Sequence, residues 1–317
     1  MTTLQVKVVD MAHGGDAVAR HEGKVIFVPY TLPGEEVLVE IVEEKPKYSR
    51  GVPVEILSAS PQRVDPRCPH FGTCGGCQWQ HVDYEAQLRF REQILRSQFE
   101  RIAHLPDARV EPSLGMSDPW NYRNHAQLHV DETGQLGFIG AAGLRIVPIQ
   151  ECHIMHPLLL DVFHALDIDF PELERVSLRA GTITGEQLLI LEAGGEEAPA
   201  LEADLPVSCV FLLRDGTPVT YVGNSYITEE LGRRSFRISA SSFFQANTAQ
   251  TEVLLETVDR YLAPLGAEVL LDVYCGVGTF GLSLSDRVGK VIGVDESQAA
   301  IDDALFNSQG TSNSDFL

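Results

Sequence analysis

The chain has 317 residues, of which 44% are hydrophobic, and a formal net charge of −21. This composition is ordinary for a soluble globular protein, and the length suggests about two or three domains. No apolar run is long enough to span a membrane, and the N-terminus lacks a basic stretch followed by an apolar one. We therefore expect no membrane span and no signal peptide, and we place the protein in the cytoplasm.

The negative charge taken alone argues against a nucleic-acid partner, because phosphate binding requires Lys and Arg side chains. The charge is unevenly distributed, however, with a net −3 for residues 1–60, 0 for residues 61–130 and −18 for residues 131–317. A surface that binds nucleic acid should therefore be sought in the first 130 residues. An acidic surface that keeps the protein soluble is the more ordinary explanation of the remaining charge.

Short alternating segments dominate residues 1–60. Residues 4–9 and 37–41 alternate between apolar and other side chains, a pattern that predicts β-strands. Gly14-Gly15 and Pro33-Gly34 separate such segments as turns. We predict a small barrel of the five-stranded oligonucleotide-binding type, although another small β-domain would give the same pattern.

Three of the six cysteines lie close together in the sequence. Cys68, Cys74 and Cys77 have the spacing C-x5-C-x2-C, and thiolates are the ligands that iron–sulfur clusters and structural zinc require. The spacing alone favours neither metal, and unliganded structural cysteines are a third alternative. A fourth ligand must come from elsewhere, and our choice is Cys152.

A helix is predicted over residues 84–104, which end before Pro106. Its apolar residues recur at helical spacing, namely Leu88, Ile94, Leu95, Phe99 and Ile102. Residues 110–237 are rich in predicted strands and form a second, mostly β region. Cys209 lies in one of these apolar strands and is expected to be a buried core thiol.

Residues 238–317 predict the opening of a doubly wound α/β fold, with a strand, a glycine-rich turn, a helix and a second strand. The turn contains Gly276 and Gly278, but Gly281 comes too early for the dinucleotide fingerprint, so a ligand without pyrophosphate fits better. Asp295 ends the second strand, where an acid can accept hydrogen bonds from both ribose hydroxyls. This arrangement suits S-adenosylmethionine, and a turn that serves only helix–strand packing is the alternative.

With these patterns the chain resembles the RNA 5-methyluridine methyltransferases that combine an N-terminal TRAM barrel with an iron–sulfur cluster. The resemblance runs almost end to end and rests on residues 25–35, 68–80, 120–124, 241–247 and 300–307. It implies a multidomain fold that is α/β plus β. An OB-like TRAM β-barrel over residues 1–60 and a central β-rich iron–sulfur domain over residues 61–237 precede an incomplete Rossmann-like methyltransferase domain over residues 238–317. The helix at 84–104 is expected to pack on the methyltransferase domain.

The resemblance also implies the ligands. A [4Fe–4S] cluster, rather than zinc, is expected on four thiolates that match in order, namely Cys68, Cys74, Cys77 and Cys152. The expected cofactor is S-adenosylmethionine, with a binding site formed by Gln245, Tyr274, Gly276, Gly278, Thr279 and Asp295.

The implied reaction is methylation of uridine C5 in RNA. A cysteine thiolate attacks C6, C5 then takes the methyl group, and a base removes the C5 proton as the cysteine is expelled. In the family both the nucleophile and the base lie beyond the position of Leu317, so we expect a truncated, inactive chain without a catalytic residue of its own. Cys275 is not assigned this role, because it lies in the cofactor turn without a nearby His.

The family-level expectation for the substrate is 23S ribosomal RNA first and transfer RNA second, with the protein as a monomer. An RNA-binding module without catalytic activity is the alternative function. A small-molecule methyltransferase is the weaker alternative, because it would need neither the barrel nor the cysteine loop.

Overall fold

The computed structural model describes residues 2–143, 145–167, 170, 172–194 and 207–317. The chain divides into two compact units, Met1–Pro119 with Ile139–Val147 and Trp120–Phe138 with Pro148–Leu317. Within the described ranges, no helix has the length and apolar character needed to cross a membrane.

The N-terminal strands close into a barrel. They are β1 (Thr3–Met11), β2 (Ala17–His21), β3 (Lys24–Val28), β4 (Glu36–Glu44) and β5 (Tyr48–Ser58). Their order is β1-β2-β3-β5-β4, with β3 and β5 parallel and the other neighbours antiparallel. Alternate residues such as Val37 and Val39 point inward and are fully buried. The five-stranded barrel predicted from the alternation is confirmed.

A buried ion pair fixes the loops beside this barrel. The carboxylate of Glu35 is fully buried and accepts hydrogen bonds from Arg63 Nε at 2.6 Å and Arg63 Nη2 at 2.8 Å. The backbone N–H groups of Leu32 and Ser60 donate to the same carboxylate at 2.9 and 3.2 Å. Burial opposes the charged form, but the hydrogen bonds from Arg63, Ser60 and Leu32 outweigh it and lower the pKa of Glu35.

Helix α1 (Tyr84–Arg101) packs against the barrel. Asp83 caps its N-terminus by accepting from Ala86 N at 3.2 Å. Ala86 and Phe90 are buried in the same apolar cluster as the barrel strands. The expected packing of this helix on the methyltransferase domain stays a prediction. The apolar stripe proposed for it was wrong in part, because Leu95 is 43% exposed.

A seven-stranded sheet has most of its strands in the second unit. Its strands are β6 (His125–Val130), β7 (Leu136–Ile139), β8 (Ile146–Pro148), β9 (Leu173–Ala180), β10 (Gln187–Ala193), β11 (Ser208–Leu212) and β12 (Pro218–Val222). Their order is β12-β11-β10-β9-β6-β7-β8. In β10, Leu189 and Leu191 belong to a core with helix α2 (Pro157–Ala165), whereas Leu188 and Ile190 face a second core. The sheet is therefore covered on both faces there.

The second core joins this sheet to the last elements of the chain. These are the hairpin β13 (Tyr226–Leu231) and β14 (Arg234–Ser239), α3 (Thr248–Leu262), β15 (Val269–Val273), α4 (Thr279–Ser283), β16 (Lys290–Val294), α5 (Gln298–Asn307) and β17 (Ser314–Phe316). Strands β15, β16 and β17 are adjacent in that order and parallel. This is the predicted α/β arrangement, in which ligands bind at the carboxyl ends of the strands.

Candidate functional site

The glycine-rich turn after β15 is fixed to the end of β16. The backbone N–H groups of Tyr274 and Cys275 donate to Val294 O at 2.8 and 3.1 Å. Tyr274 and Gly276 both have positive φ angles, 64° and 55°. A Cβ atom added to Gly276 would meet only Phe243 O, at 3.9 Å, so space is open in front of this backbone. A ligand could approach the turn closely at this point.

Gly278 serves a different purpose from Gly276. It has a φ of 85° at the start of α4, and an added Cβ atom would lie 2.8 Å from Leu282 Cδ1. Thr279, the first residue of α4, is 6% exposed. Gly278 and Thr279 therefore shape the turn from within the core, whereas the Tyr274 side chain is 82% exposed.

The carboxylate of Asp295 lies beside the turn. Its Oδ2 accepts a hydrogen bond from Gly276 N at 2.9 Å, and its Oδ1 accepts from Ser297 N at 2.9 Å. A carboxylate oxygen has two acceptor sites, so each oxygen can accept a further donor. Asp295 is thus held in one orientation and still has capacity for a pair of hydroxyl groups.

The half-buried Asp272 and the buried Cys275 lie close enough to Asp295 to feel its charge. Burial raises the pKa of Asp272, whose carboxylate accepts from Gly281 N at 2.8 Å, and the negative charge of Asp295 raises it further. Burial, with Asp272 and Asp295, raises the pKa of Cys275 to about 12. The Cys275 thiol is therefore protonated at neutral pH and is a poor nucleophile.

The segment that carries Gln245 lies against the turn. Phe244 is buried in the core, and Phe243 O is the atom nearest to the open side of Gly276. Gln245 O accepts from Asn124 Nδ2 at 2.9 Å, and Ala246 O accepts from Asn124 N at 3.0 Å. The structure thus brings together the Gln245 segment, the glycine turn and Asp295.

Sequence reasoning missed two polar residues on α5 that support this site. Asp303 is fully buried and accepts hydrogen bonds from Arg237 Nε (2.7 Å), Ser239 N (2.8 Å), Ser239 Oγ (2.8 Å) and Ser242 Oγ (2.6 Å). Asn307 accepts from Arg237 N and donates to the backbone oxygens of Arg237 and Val277. The sequence carries no local signal for Asp303, because its partners Arg237, Ser239 and Ser242 lie more than 60 residues away.

The cysteine loop belongs to the first unit. Cys68, Cys74 and Cys77 are partly exposed. Cys74 forms isolated bridges with Phe71 and Gly140, and Gly76 N lies 3.4 Å from Cys74 Sγ. A backbone N–H at this distance can stabilise a thiolate, so the loop has the donor chemistry that a thiolate-bound metal requires.

Cys152 belongs to the second unit, where it is partly buried against the sheet core. Among the residues that the structure describes, no three His, Cys, Asp or Glu side chains form a group arranged to hold a metal ion. The four-cysteine cluster therefore stays a prediction. Cys209, by contrast, is buried in β11 as expected for a core thiol, and burial raises its pKa to about 11.

A five-stranded barrel followed by a parallel β-α-β sheet with an open glycine turn is the architecture that the sequence predicts for an RNA methyltransferase. The TRAM domain pattern matches residues 2–54, and the pattern of tRNA (uracil-5-)-methyltransferases matches residues 212–315. A protein of Halalkalibacterium halodurans described as an uncharacterized RNA methyltransferase is 34% identical over 341 residues, covering 96% of this chain and 74% of the relative. One of Thermosynechococcus vestitus is 32% identical, covering 99% and 78%.

Among solved structures, the Pyrococcus abyssi tRNA (uracil-54, C5)-methyltransferase in complex with S-adenosyl-L-homocysteine has a TM-score of 0.75 and 25% sequence identity. The similarity covers 99% of this chain and 79% of that one. The chain belongs to the RNA uracil-5-methyltransferase family. The TRAM barrel, the methyltransferase fold and the RNA methyltransferase class predicted from the sequence are thereby confirmed.

Proposed function

We propose that this protein takes part in the transfer of a methyl group from S-adenosylmethionine to C5 of a uridine in RNA. The observation that carries the proposal is that the segment bearing Gln245 lies against Gly276, through Phe243 O, while Asp295 is bonded to Gly276 at the carboxyl ends of two parallel strands. Family membership supports the reaction class. The cofactor supplies an electrophilic methyl group when it is bound.

The proposed cofactor site assigns a task to each residue. Asp295 accepts hydrogen bonds from the ribose hydroxyls through its remaining lone pairs. The exposed ring of Tyr274 offers an apolar surface, and the open backbone at Gly276 permits close approach. Gln245 contributes a polar side chain from the facing segment. Gly278 and Thr279 complete the proposed set by holding the turn in shape.

Titration calorimetry with S-adenosylhomocysteine tests this site. Asp295→Asn should weaken binding about 10-fold or more, because a hydrogen bond to a charged acceptor contributes roughly 1.5–3 kcal/mol. Asp286→Asn is the control, since its side chain is 90% exposed and lies outside the turn. Equal affinities for Asp295→Asn and the unmodified chain would place the ribose elsewhere.

We further propose that the 317-residue chain does not methylate RNA by itself. Methyl transfer to C5 requires a thiolate, and the buried Cys209 and Cys275 have pKa values near 11 and 12. The other cysteines are the proposed cluster ligands. Methyl incorporation from labelled S-adenosylmethionine into undermodified RNA should stay at background. Incorporation that Cys275→Ser abolishes would contradict this proposal.

The proposed substrate is ribosomal RNA, with transfer RNA as the second candidate. Filter binding with a 23S fragment and with tRNA, each with and without S-adenosylhomocysteine, compares the two. Preference for tRNA would reverse the order of candidates. RNA retention by a chain that binds no S-adenosylhomocysteine would instead favour an RNA-binding module without catalytic activity.

We also propose that Cys68, Cys74, Cys77 and Cys152 hold a [4Fe–4S] cluster. Support comes from the resemblance of residues 68–80 to the family's cluster loop and from the Gly76 N–H beside Cys74 Sγ. Anaerobically purified protein should contain iron and sulfide, and Cys152→Ser should lose both. Cys209→Ser, at the buried core thiol, should retain them. Stoichiometric zinc in a colourless anaerobic preparation would refute the cluster.

A further inference from the structure

A buried polar relay crosses the second unit behind the Gln245 segment. Its members are Glu229 on β13, Thr248 at the start of α3 and Asn124 just before β6, which are 0%, 5% and 5% exposed. Thr248 Oγ1 lies 2.8 Å from Glu229 Oε2, and Asn124 Nδ2 lies 3.0 Å from Thr248 Oγ1. Such groups are buried only when they are hydrogen-bonded.

The chemistry of the three groups fixes the direction of every hydrogen bond. An ionised carboxylate only accepts, so the hydroxyl of Thr248 must donate its proton to Glu229. The oxygen of Thr248 is then available as an acceptor, and the group that faces it from Asn124 must be the amide NH2. The second proton of that NH2 points to Gln245 O, at 2.9 Å.

The carboxylate of Glu229 is also held by hydrogen bonds that do not involve Thr248. Its Oε2 also accepts from Thr182 N at 2.7 Å and Thr182 Oγ1 at 2.8 Å, and its Oε1 accepts from Ile183 N at 3.1 Å. Removal of the Thr248 hydroxyl would therefore leave the carboxylate with other donors. The loss would fall on Asn124, whose amide would keep its hydrogen bond to Gln245 O but lose the one to Thr248 that fixes its position.

Asn124 is in turn attached to both carbonyl groups of the Gln245-Ala246 dipeptide, through its side chain and through its backbone N–H. We propose that Asn124, oriented by Thr248 and Glu229, is a positioning residue that aims Gln245 at the cofactor. This inference rests on the proposed function, because it assigns the relay a role in the same cofactor site.

Thr248→Val tests the relay, because valine keeps the shape of threonine and removes the hydroxyl. Affinity for S-adenosylhomocysteine, measured by calorimetry, should fall about 3- to 10-fold, the range expected for one net hydrogen bond. Thr248→Ser keeps the hydroxyl and should restore the affinity. Thr257→Val is the matched control in the same helix, where the hydroxyl donates to the backbone at Val253 O.

Asn124→Ala should weaken binding at least as much as Thr248→Val does. Its matched control is Asn313→Ala, since Asn313 Nδ2 also donates to two oxygens of the same unit, Ser285 O and Val288 O. That variant should keep the original affinity.

A double-mutant cycle with Gln245→Ala distinguishes positioning from general stabilisation. If the relay acts through Gln245, Thr248→Val should change the affinity of the Gln245→Ala protein less than about two-fold. Additive losses, or unchanged affinity in Thr248→Val alone, would overturn this inference and leave the proposed function standing. An unmodified chain that binds no S-adenosylhomocysteine would overturn the proposed cofactor site itself.

Discussion

Replacement of Asp303 by asparagine is the most direct test of the hub, the buried hydrogen-bond network of Asp303 with Arg237, Ser239 and Ser242. The carboxylate accepts four hydrogen bonds, two at each oxygen. Asparagine keeps one oxygen and puts an NH2 group in place of the other. The hydroxyls of Ser239 and Ser242 can reverse and accept from that NH2 group, but the donors Arg237 Nε and Ser239 N cannot.

Whichever way the amide is turned, one donor then faces another donor. With the amide oxygen at the Oδ2 position, the NH2 group opposes Arg237 Nε; with the oxygen at Oδ1, it opposes Ser239 N. The guanidinium cannot easily move away, because it is stacked 4.3 Å from the centre of the Phe306 ring. Loss of one charged hydrogen bond and burial of an unpaired donor should cost about 3 kcal/mol.

The assay is amide hydrogen exchange of β14 and α5, followed by mass spectrometry. A cost of about 3 kcal/mol corresponds to roughly 100-fold faster exchange of their protected amides. Asp302→Asn is the neighbouring control, because Asp302 is exposed and accepts from Gln298 Nε2 on the same helix. If Asp303→Asn accelerated exchange no more than this control, the geometric reasoning about the hub would be refuted.

Three further predictions concern packing and charge. Gly293→Ala should lower the unfolding midpoint, because the added methyl group would overlap the Phe316 ring, an overpacking that costs about 1–3 kcal/mol. A midpoint equal to that of the unmodified chain would contradict this. Burial and the neighbouring arginines hold the pKa of His125 at about 3, so only the unfolded chain gains a proton between pH 6.5 and 5. This group alone should lower the free energy of unfolding by about 2 kcal/mol over that interval. His125→Gln should reduce the loss seen in urea unfolding by that amount, while the buried His81, with a pKa of about 4, keeps its own share. The pKa of Glu35 is lowered in the fold, so this group stabilises the protein above its usual pKa, and the stabilisation is lost as the pH falls. Glu35→Gln should therefore speed amide hydrogen exchange in the barrel at pH 7. Glu44→Gln, at the exposed pair with Lys24, should not.

The barrel and the glycine turn could be predicted because their signals are local. Alternation along residues 37–41 reports which side chains point inward, and a glycine turn between two apolar strands reports a site for close approach of a ligand. Helix α1 was harder, because it has more than one apolar stripe. Ala86 is small and gives a weak signal, yet it contacts the barrel core, whereas the larger Leu95 is left at the surface.

The polar networks could not be predicted, because their members are distant in sequence. Asp303 lies 61 residues from Ser242, and Asn124 lies 121 residues from Gln245. Hydrogen bonds of this kind leave no periodic pattern, and a buried Asp or Asn looks like a surface residue when only its neighbours are read. Such contacts become visible only when the fold brings the segments together.

The hub has a consequence for how the protein can be recombined. Asp303 and Asn307 on α5 are hydrogen-bonded to β14 through Arg237 and Ser239, and Thr248 on α3 is hydrogen-bonded to Glu229 on β13, so side-chain bonds join the hairpin to both helices. A chimera that joins two relatives immediately after Arg237 would take Arg237 from one relative and Asp303 from the other. The two members of this ion pair would then no longer come from the same protein. A junction before Tyr226 would instead take the β13–β14 hairpin, the helices α3 to α5 and the parallel sheet from the same relative, so these bonds would keep their original partners.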